Sequence, residues 1–197
     1  MSLSENSLND LAFSVENEIG CKVPRSSVIR ALRECGRDFC IQSESWIERF
    51  HYRIEKDLIG YDAAGMRDAI VRRILSVRLR KKNEPEELAS ETKYHLCNVN
   101  TVLIDRNILM RYDGGMIDIA SVLIPTADSG NLPDEIIQRY RDGLVYGACA
   151  RLARQRGRPW FSAELERYYT DSYHAEITRA IADSADDNET GCAGFSG

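Results

Sequence analysis

Three histidines, six cysteines and one basic run are the residues of this 197-residue chain whose types could carry chemistry. His51, His95 and His174 could serve as bases or metal ligands. Asp171 and His174 stand three apart, the spacing that puts a carboxylate and an imidazole on one helix face, but a metal site of that kind draws further ligands from other helices. No H-E-x-x-H and no G-x-S-x-G occurs, and no Walker or dinucleotide glycine pattern is present. The cysteines, at 21, 35, 40, 97, 149 and 192, never fall at C-x-x-C spacing, so neither a zinc cluster nor a redox pair is indicated. Cys35, Cys40 and Cys149 lie on apolar helical faces, where a thiol acts as a small hydrophobe. The chain is therefore expected not to be an enzyme and to need no cofactor or metal.

The basic run holds Arg72, Arg73, Arg78, Arg80, Lys81 and Lys82. It is a candidate surface for DNA phosphates, a channel lumen or an acidic partner, or it is the solvated face of a strand. No aromatic residues interleave to stack bases. The net charge is −5, and it is concentrated at one end: Asp183, Asp186, Asp187 and Glu189 come after the last basic residue, Arg179. Without those four, 26 basic residues face 27 acidic ones. No run of about 18 apolar residues is present to cross a membrane. The first ten residues lack both a basic and an apolar signal region, so an intracellular chain is expected.

The elements that must position these residues follow from periodicity. Leu8, Leu11, Val15 and Ile19 predict a helix over 7–19, ended by Gly20. Val28, Leu32, Cys35 and Phe39 predict a second over 24–43, with Pro24 in its first turn. From Trp46 the period changes: Phe50, Tyr52 and Ile54 alternate as in a strand. Residues 74–79, 92–97, 101–106 and 116–126 are further strand candidates, and Asp113-Gly114-Gly115 predicts a hairpin between the last two. Ile137, Leu144, Ala148 and Leu152 predict one helix from Pro133 to Arg156, about 35 Å long. Gly157 stops it, Ser162 caps the next, and Leu165, Tyr169, Tyr173 and Ile177 carry that helix to about Ala185.

The expected fold is α+β, mainly α. A four-helix bundle forms from residues 1–45 and 130–185, with an antiparallel β unit inserted at 46–129 and a flexible, extended tail over 186–197. Gly143 and Gly147 cost about 1 kcal/mol each in a helix interior. With Ala148 they make a smooth face on which another helix packs closely, within the chain or across a subunit seam. Trp160 anchors the turn between the last two helices, or a neighbour.

The arrangement resembles the head-to-tail adaptor (connector) proteins of short-tailed phages, of the tail tubular protein A type. The matching residues are Ala31-Leu32-Arg33, Asp38-Phe39-Cys40 and Trp46, then Leu132-Pro133, Tyr140, Gly147-Ala148, Ala150-Arg151-Leu152, Pro159-Trp160, Tyr168, Tyr169 and Tyr173. They cover both helical parts; the middle matches only in order of elements, and the charged loop at 78–91 departs from the pattern. The resemblance implies a structural virion protein: a ring, usually of twelve subunits, that joins the portal protein to the tail nozzle and extends the DNA channel. It implies proximity to double-stranded DNA without a grip on it, and no membrane partner. The C-terminal tail, with Asp186, Asp187, Asn188, Glu189, Thr190 and Phe195, would dock on the portal, Phe195 as its anchor. Two other readings fit the residues: another phage neck or head-completion protein, and a helix-turn-helix-like DNA-binding regulator using 24–43.

Overall fold

The computed structural model describes residues 5–65, 68–81, 87–88, 94–127 and 132–193. The chain is α+β, with helices at both ends and two small antiparallel sheets between them. It divides into two compact units, one made of the chain before Trp46 and after Ile124, the other of Trp46–Ile124.

In the helical unit, α1 (Glu5–Ile19) buries Leu11, Ala12, Val15 and Ile19. α2 (Arg25–Ser43) starts after Pro24, whose carbonyl accepts from the amides of Ser27 and Val28 at 2.8 and 3.2 Å. Its apolar stripe, Val28, Leu32, Cys35 and Phe39, is fully inside. The helix ends where Glu44 turns left-handed, with its N–H on the Cys40 carbonyl. Arg25 ties α2 to α1, donating to Glu16 Oε1 and to the Asn9 carbonyl, each at 2.9 Å.

The single helix expected from Pro133 to Arg156 is two. α4 (Asp134–Arg139) and α5 (Arg141–Ala153) are separated at Tyr140, whose φ of −121° and ψ of 32° leave the helical region. Packing overrides helix propensity here. The buried Tyr140 ring lies 5.2 Å from that of Phe39, and its hydroxyl donates to Asp183 Oδ2 at 3.3 Å. α5 also ends at Ala153, before the expected Arg156. α5 packs against α1, α2 and α6, and α2 packs against α1 and α6.

Ser162 caps α6 (Ala163–Ala193): its Oγ accepts from the Leu165 amide at 3.3 Å and its carbonyl from Glu166 at 2.9 Å. The buried stripe of α6 is Tyr169, Tyr173, Ile177, Ala180 and Ser184; Leu165 is exposed instead. The extended tail expected from residue 186 does not begin there, because α6 continues to Ala193. Between Ala180 and Thr190 the sequence holds no Gly or Pro to break the i to i−4 ladder, so polarity alone does not end it.

The other unit holds β1 (Ile47–Arg53), β2 (Gly60–Asp62), β3 (Ala69–Arg80), β4 (Glu87–Leu88), β5 (Tyr94–Cys97), β6 (Thr101–Ile104), α3 (Arg106–Arg111) and β7 (Met116–Pro125). One sheet runs β1-β7-β3-β4 and the other β2-β6-β5. β1 pairs antiparallel with β7, Ile47 opposite Val122 and Arg53 opposite Met116. β6 pairs with both β2 and β5. The expected hairpin across Asp113-Gly114-Gly115 is therefore not formed. Asp105 Oδ1 accepts from the Asn107 amide at 2.8 Å and nucleates α3, which separates β6 from β7. The glycine turn instead exchanges backbone hydrogen bonds with Ile54, just past β1: Ile54 N–H to Gly115 O at 2.8 Å and Gly114 N–H to Ile54 O at 2.9 Å. The tight hairpin is β5–β6, turning at 98–100 with Asn98 at a φ of 55°.

Candidate functional site

Several residues that carry the resemblance, Asp38, Phe39, Tyr140, Gly147, Arg151 and Tyr173, come from stretches about 100 positions apart and meet where α2, α5 and α6 pack; Trp46 belongs to the other unit. Gly143 and Gly147 set the approach. A Cβ on Gly147 would collide with the Cys35 sulfur on α2 and lie 2.7 Å from the Tyr173 ring on α6. One on Gly143 would lie 2.9 Å from Glu176 Cβ and 3.2 Å from the Phe39 ring. The directions in which these glycines lack side chains are thus filled by the chain's own α2 and α6. Ala148, next to Gly147 on α5, is fully buried.

Phe39 sits at the focus, its ring 5.2 Å from Tyr140 and 6.2 Å from Tyr173. The tyrosine hydroxyls then reach across the chain. Tyr169 donates to the Glu18 carbonyl at 3.0 Å and Tyr173 to the Cys35 carbonyl at 3.5 Å. Arg151 closes the seam: it pairs with Asp38, donates to the Gly147 carbonyl at 2.9 Å, and lies over the Tyr173 ring at 5.6 Å. Each partner was legible as a motif residue; their pairing was not, because nothing in a one-dimensional pattern brings Asp38 to Arg151.

This seam holds no activated nucleophile. Burial pushes the Cys35 thiol up to about 12, only partly offset by the nearby Arg151 charge. Burial does the same to Cys149, again to about 12, and raises Cys40 and the phenols of Tyr169 and Tyr173 well above their ordinary values. These groups stay neutral near pH 7, as packing and hydrogen-bonding elements. Among the described residues no group of His, Cys, Asp and Glu could hold a metal ion. His51 pairs with Asp118 across β1 and β7. Also among the described residues, no helix is long and apolar enough to cross a membrane.

Trp160 is buried at the α5–α6 turn, donating from Nε1 to Gln155 Oε1 at 3.1 Å with the Arg158 guanidinium 5.8 Å over its ring. The basic run lies on β3, where strand alternation divides it. Val71, Val77 and Leu79 are buried, while Arg72 and Arg80 are exposed and Arg78 is half-buried between them. Arg73 is exposed, and Lys81 lies 5.6 Å over the Tyr112 ring. Lys82 is outside the described residues. Asp186, Asp187, Asn188, Glu189 and Thr190 fall on the last turns of α6, and Phe195 is outside the described residues.

No family model matches the chain, and no curated protein matches it. Among solved structures it is similar to a chain of the neck of an empty GTA particle, computed with C6 symmetry. The identity is 11% and the TM-score 0.33, with 86% of this chain and 93% of that chain covered.

Proposed function

We propose that this protein is a structural component of a phage particle, a head-to-tail adaptor whose copies form a ring beneath the portal. The four helices α1, α2, α5 and α6 serve as the bundle of the ring body in this reading, and the role is mechanical rather than catalytic. One observation carries it. Residues of the adaptor pattern that lie far apart in the chain, Asp38, Phe39, Tyr140, Gly147, Arg151 and Tyr173, converge on a single seam with Phe39 against Tyr140 and Tyr173. A pattern scattered over the chain gains meaning when its members touch. The slight net negative charge suits a wall past which DNA slides.

The C-terminal segment, with Phe195 as its apolar anchor, docks on the portal, and the β unit faces the tail nozzle or adjoining subunits. Many weak tails on one ring give high avidity. The test is electron microscopy of the protein mixed with its portal, where a second ring stacked on the portal is expected. Truncation after Ala185 should abolish that ring while keeping the buried Ser184 and the Asp183–Tyr140 contact in place. Stacking that survives the truncation would remove the docking assignment; no stacking by the full chain would remove the adaptor reading.

A further inference from the structure

A cleft of about 730 Å³ opens in the helical unit where α2, the end of α5, the following turn and the first half of α6 meet. Arginines dominate its wall: Arg30, Arg151, Arg154, Arg156 and Arg158 stand against Glu34 and Asp38. Part of this charge is matched locally. Arg151 pairs with Asp38, Arg30 lies 3.3 Å from Glu34, and Arg154 donates to Glu166 at 2.9 Å. No carboxylate among the described residues pairs with Arg156 or Arg158, both exposed at the turn. A concave surface with surplus guanidinium attracts carboxylates, which it can bind through two parallel hydrogen bonds.

We infer that this cleft receives the acidic end of α6 from a second copy of the chain. The same chain carries the complementary charge. After Arg179 there is no basic residue, and Asp186, Asp187 and Glu189 follow in sequence. Asp183 is already engaged at home, by the Tyr140 hydroxyl and by Arg139 at 3.5 Å. α6 contributes Thr170, Tyr173 and His174 to the cleft and then continues unbroken to Ala193. From His174 to Asp186 it rises about 18 Å. A chain's own acidic end therefore points away from its own cleft, and only another chain's can enter. Donor and acceptor at opposite stretches of one helix define a head-to-tail contact, which passes from copy to copy and closes into a ring if the rotation allows. This goes beyond the adaptor reading and needs only that two copies meet. Within that reading, cleft and portal draw on the same acidic end, so the contact belongs to the protein before it meets the portal.

Sedimentation velocity of the full chain over a range of concentrations tests it. Self-association is expected at low salt and should weaken as salt screens the charges. Two variants, Arg30→Glu with Arg156→Glu, and Asp186→Lys with Asp187→Lys, should each associate about tenfold more weakly than the unchanged protein. Mixed in equal amounts they should pair again, because one supplies an acidic cleft and the other a basic helix end. Circular dichroism confirms that both remain folded. Association unchanged in either variant, or no recovery on mixing, overturns the inference. A short DNA duplex is the second probe. If the cleft variant loses DNA binding and keeps its self-association, the arginines serve phosphates and the proposal falls.

Discussion

Gly147 in the α2–α5–α6 seam and Gly157 in the α5–α6 turn look alike in sequence, yet they are glycines for opposite reasons. Gly147 has ordinary helical backbone, and what it lacks is room: two neighbouring helices occupy the place of its side chain. Gly157 has open space around it, and what it needs is a backbone angle, a φ of +78° that other residues adopt at a cost. The seam is therefore governed by packing, and the turn by chain conformation. Substitutions that separate volume from backbone angle should separate the two regions.

The largest effect is expected from emptying the seam. Phe39→Ala removes the fully buried ring shared by Tyr140 and Tyr173 and should cost about 4 kcal/mol. Urea unfolding would measure it, and hydrogen exchange should quicken in α2, α5 and α6 first. Overfilling the same seam comes next. Gly147→Ala should cost about 2 kcal/mol from collision with Cys35 and Tyr173, even after the helix-propensity gain of about 1 kcal/mol. A neutral or stabilising result would mean that the seam is looser than the contact distances imply. Gly157→Ala should cost only about 1 kcal/mol, and Gly157→Asn less still, because Asn tolerates the left-handed region. Gly147→Asn should be worse than Gly147→Ala, and that reversal is the sharpest test of the contrast.

A small effect is also expected at the edge of the seam. Tyr169→Phe loses the hydrogen bond to the Glu18 carbonyl and should cost about 0.5–1 kcal/mol near neutral pH. Its signature is its pH dependence. Burial, joined by the nearby Cys149 and Glu18 charges, raises the Tyr169 phenol in the folded protein above its ordinary value of 10.0. An acid whose folded value is raised contributes stability that is whole below its unfolded value and is lost as pH climbs toward the folded one. Cys35 and Cys149, raised from 9.0 to about 12, act in the same direction. The urea midpoint should therefore fall steadily between pH 9 and 12, and less steeply in Tyr169→Phe. A flat alkaline limb would show that these groups ionise freely in the folded state.

Several elements were readable from residue order alone. The stripe Val28, Leu32, Cys35 and Phe39 lies inside, and Ser162 caps α6, because helical faces and caps are decided within a few residues. The break at Tyr140 was not readable: its local sequence favours helix, and the side chain's partners there, the Phe39 ring and Asp183, come from distant parts of the chain. The misplaced hairpin has a similar cause. Asp113-Gly114-Gly115 does turn, but its backbone groups are claimed by Ile54, just past β1, rather than by β6. At the other end, polarity after Ala185 suggested a loose tail where the i to i−4 ladder simply continues.

What the sequence by itself determined is the set of faces: which residues are apolar, small or charged, and at what period. It also placed the acidic charge at one end of the chain and the arginines of the later cleft away from it. Tertiary structure alone decided which faces meet. Gly147 became costly to replace only when α2 and α6 closed on it, and the arginines became a cleft only when α2, α5 and α6 brought them together. The physical reason is range. Helical and strand periods are set by bonds spanning a few residues, whereas a seam or a cleft is a sum of contacts between residues the chain itself keeps far apart.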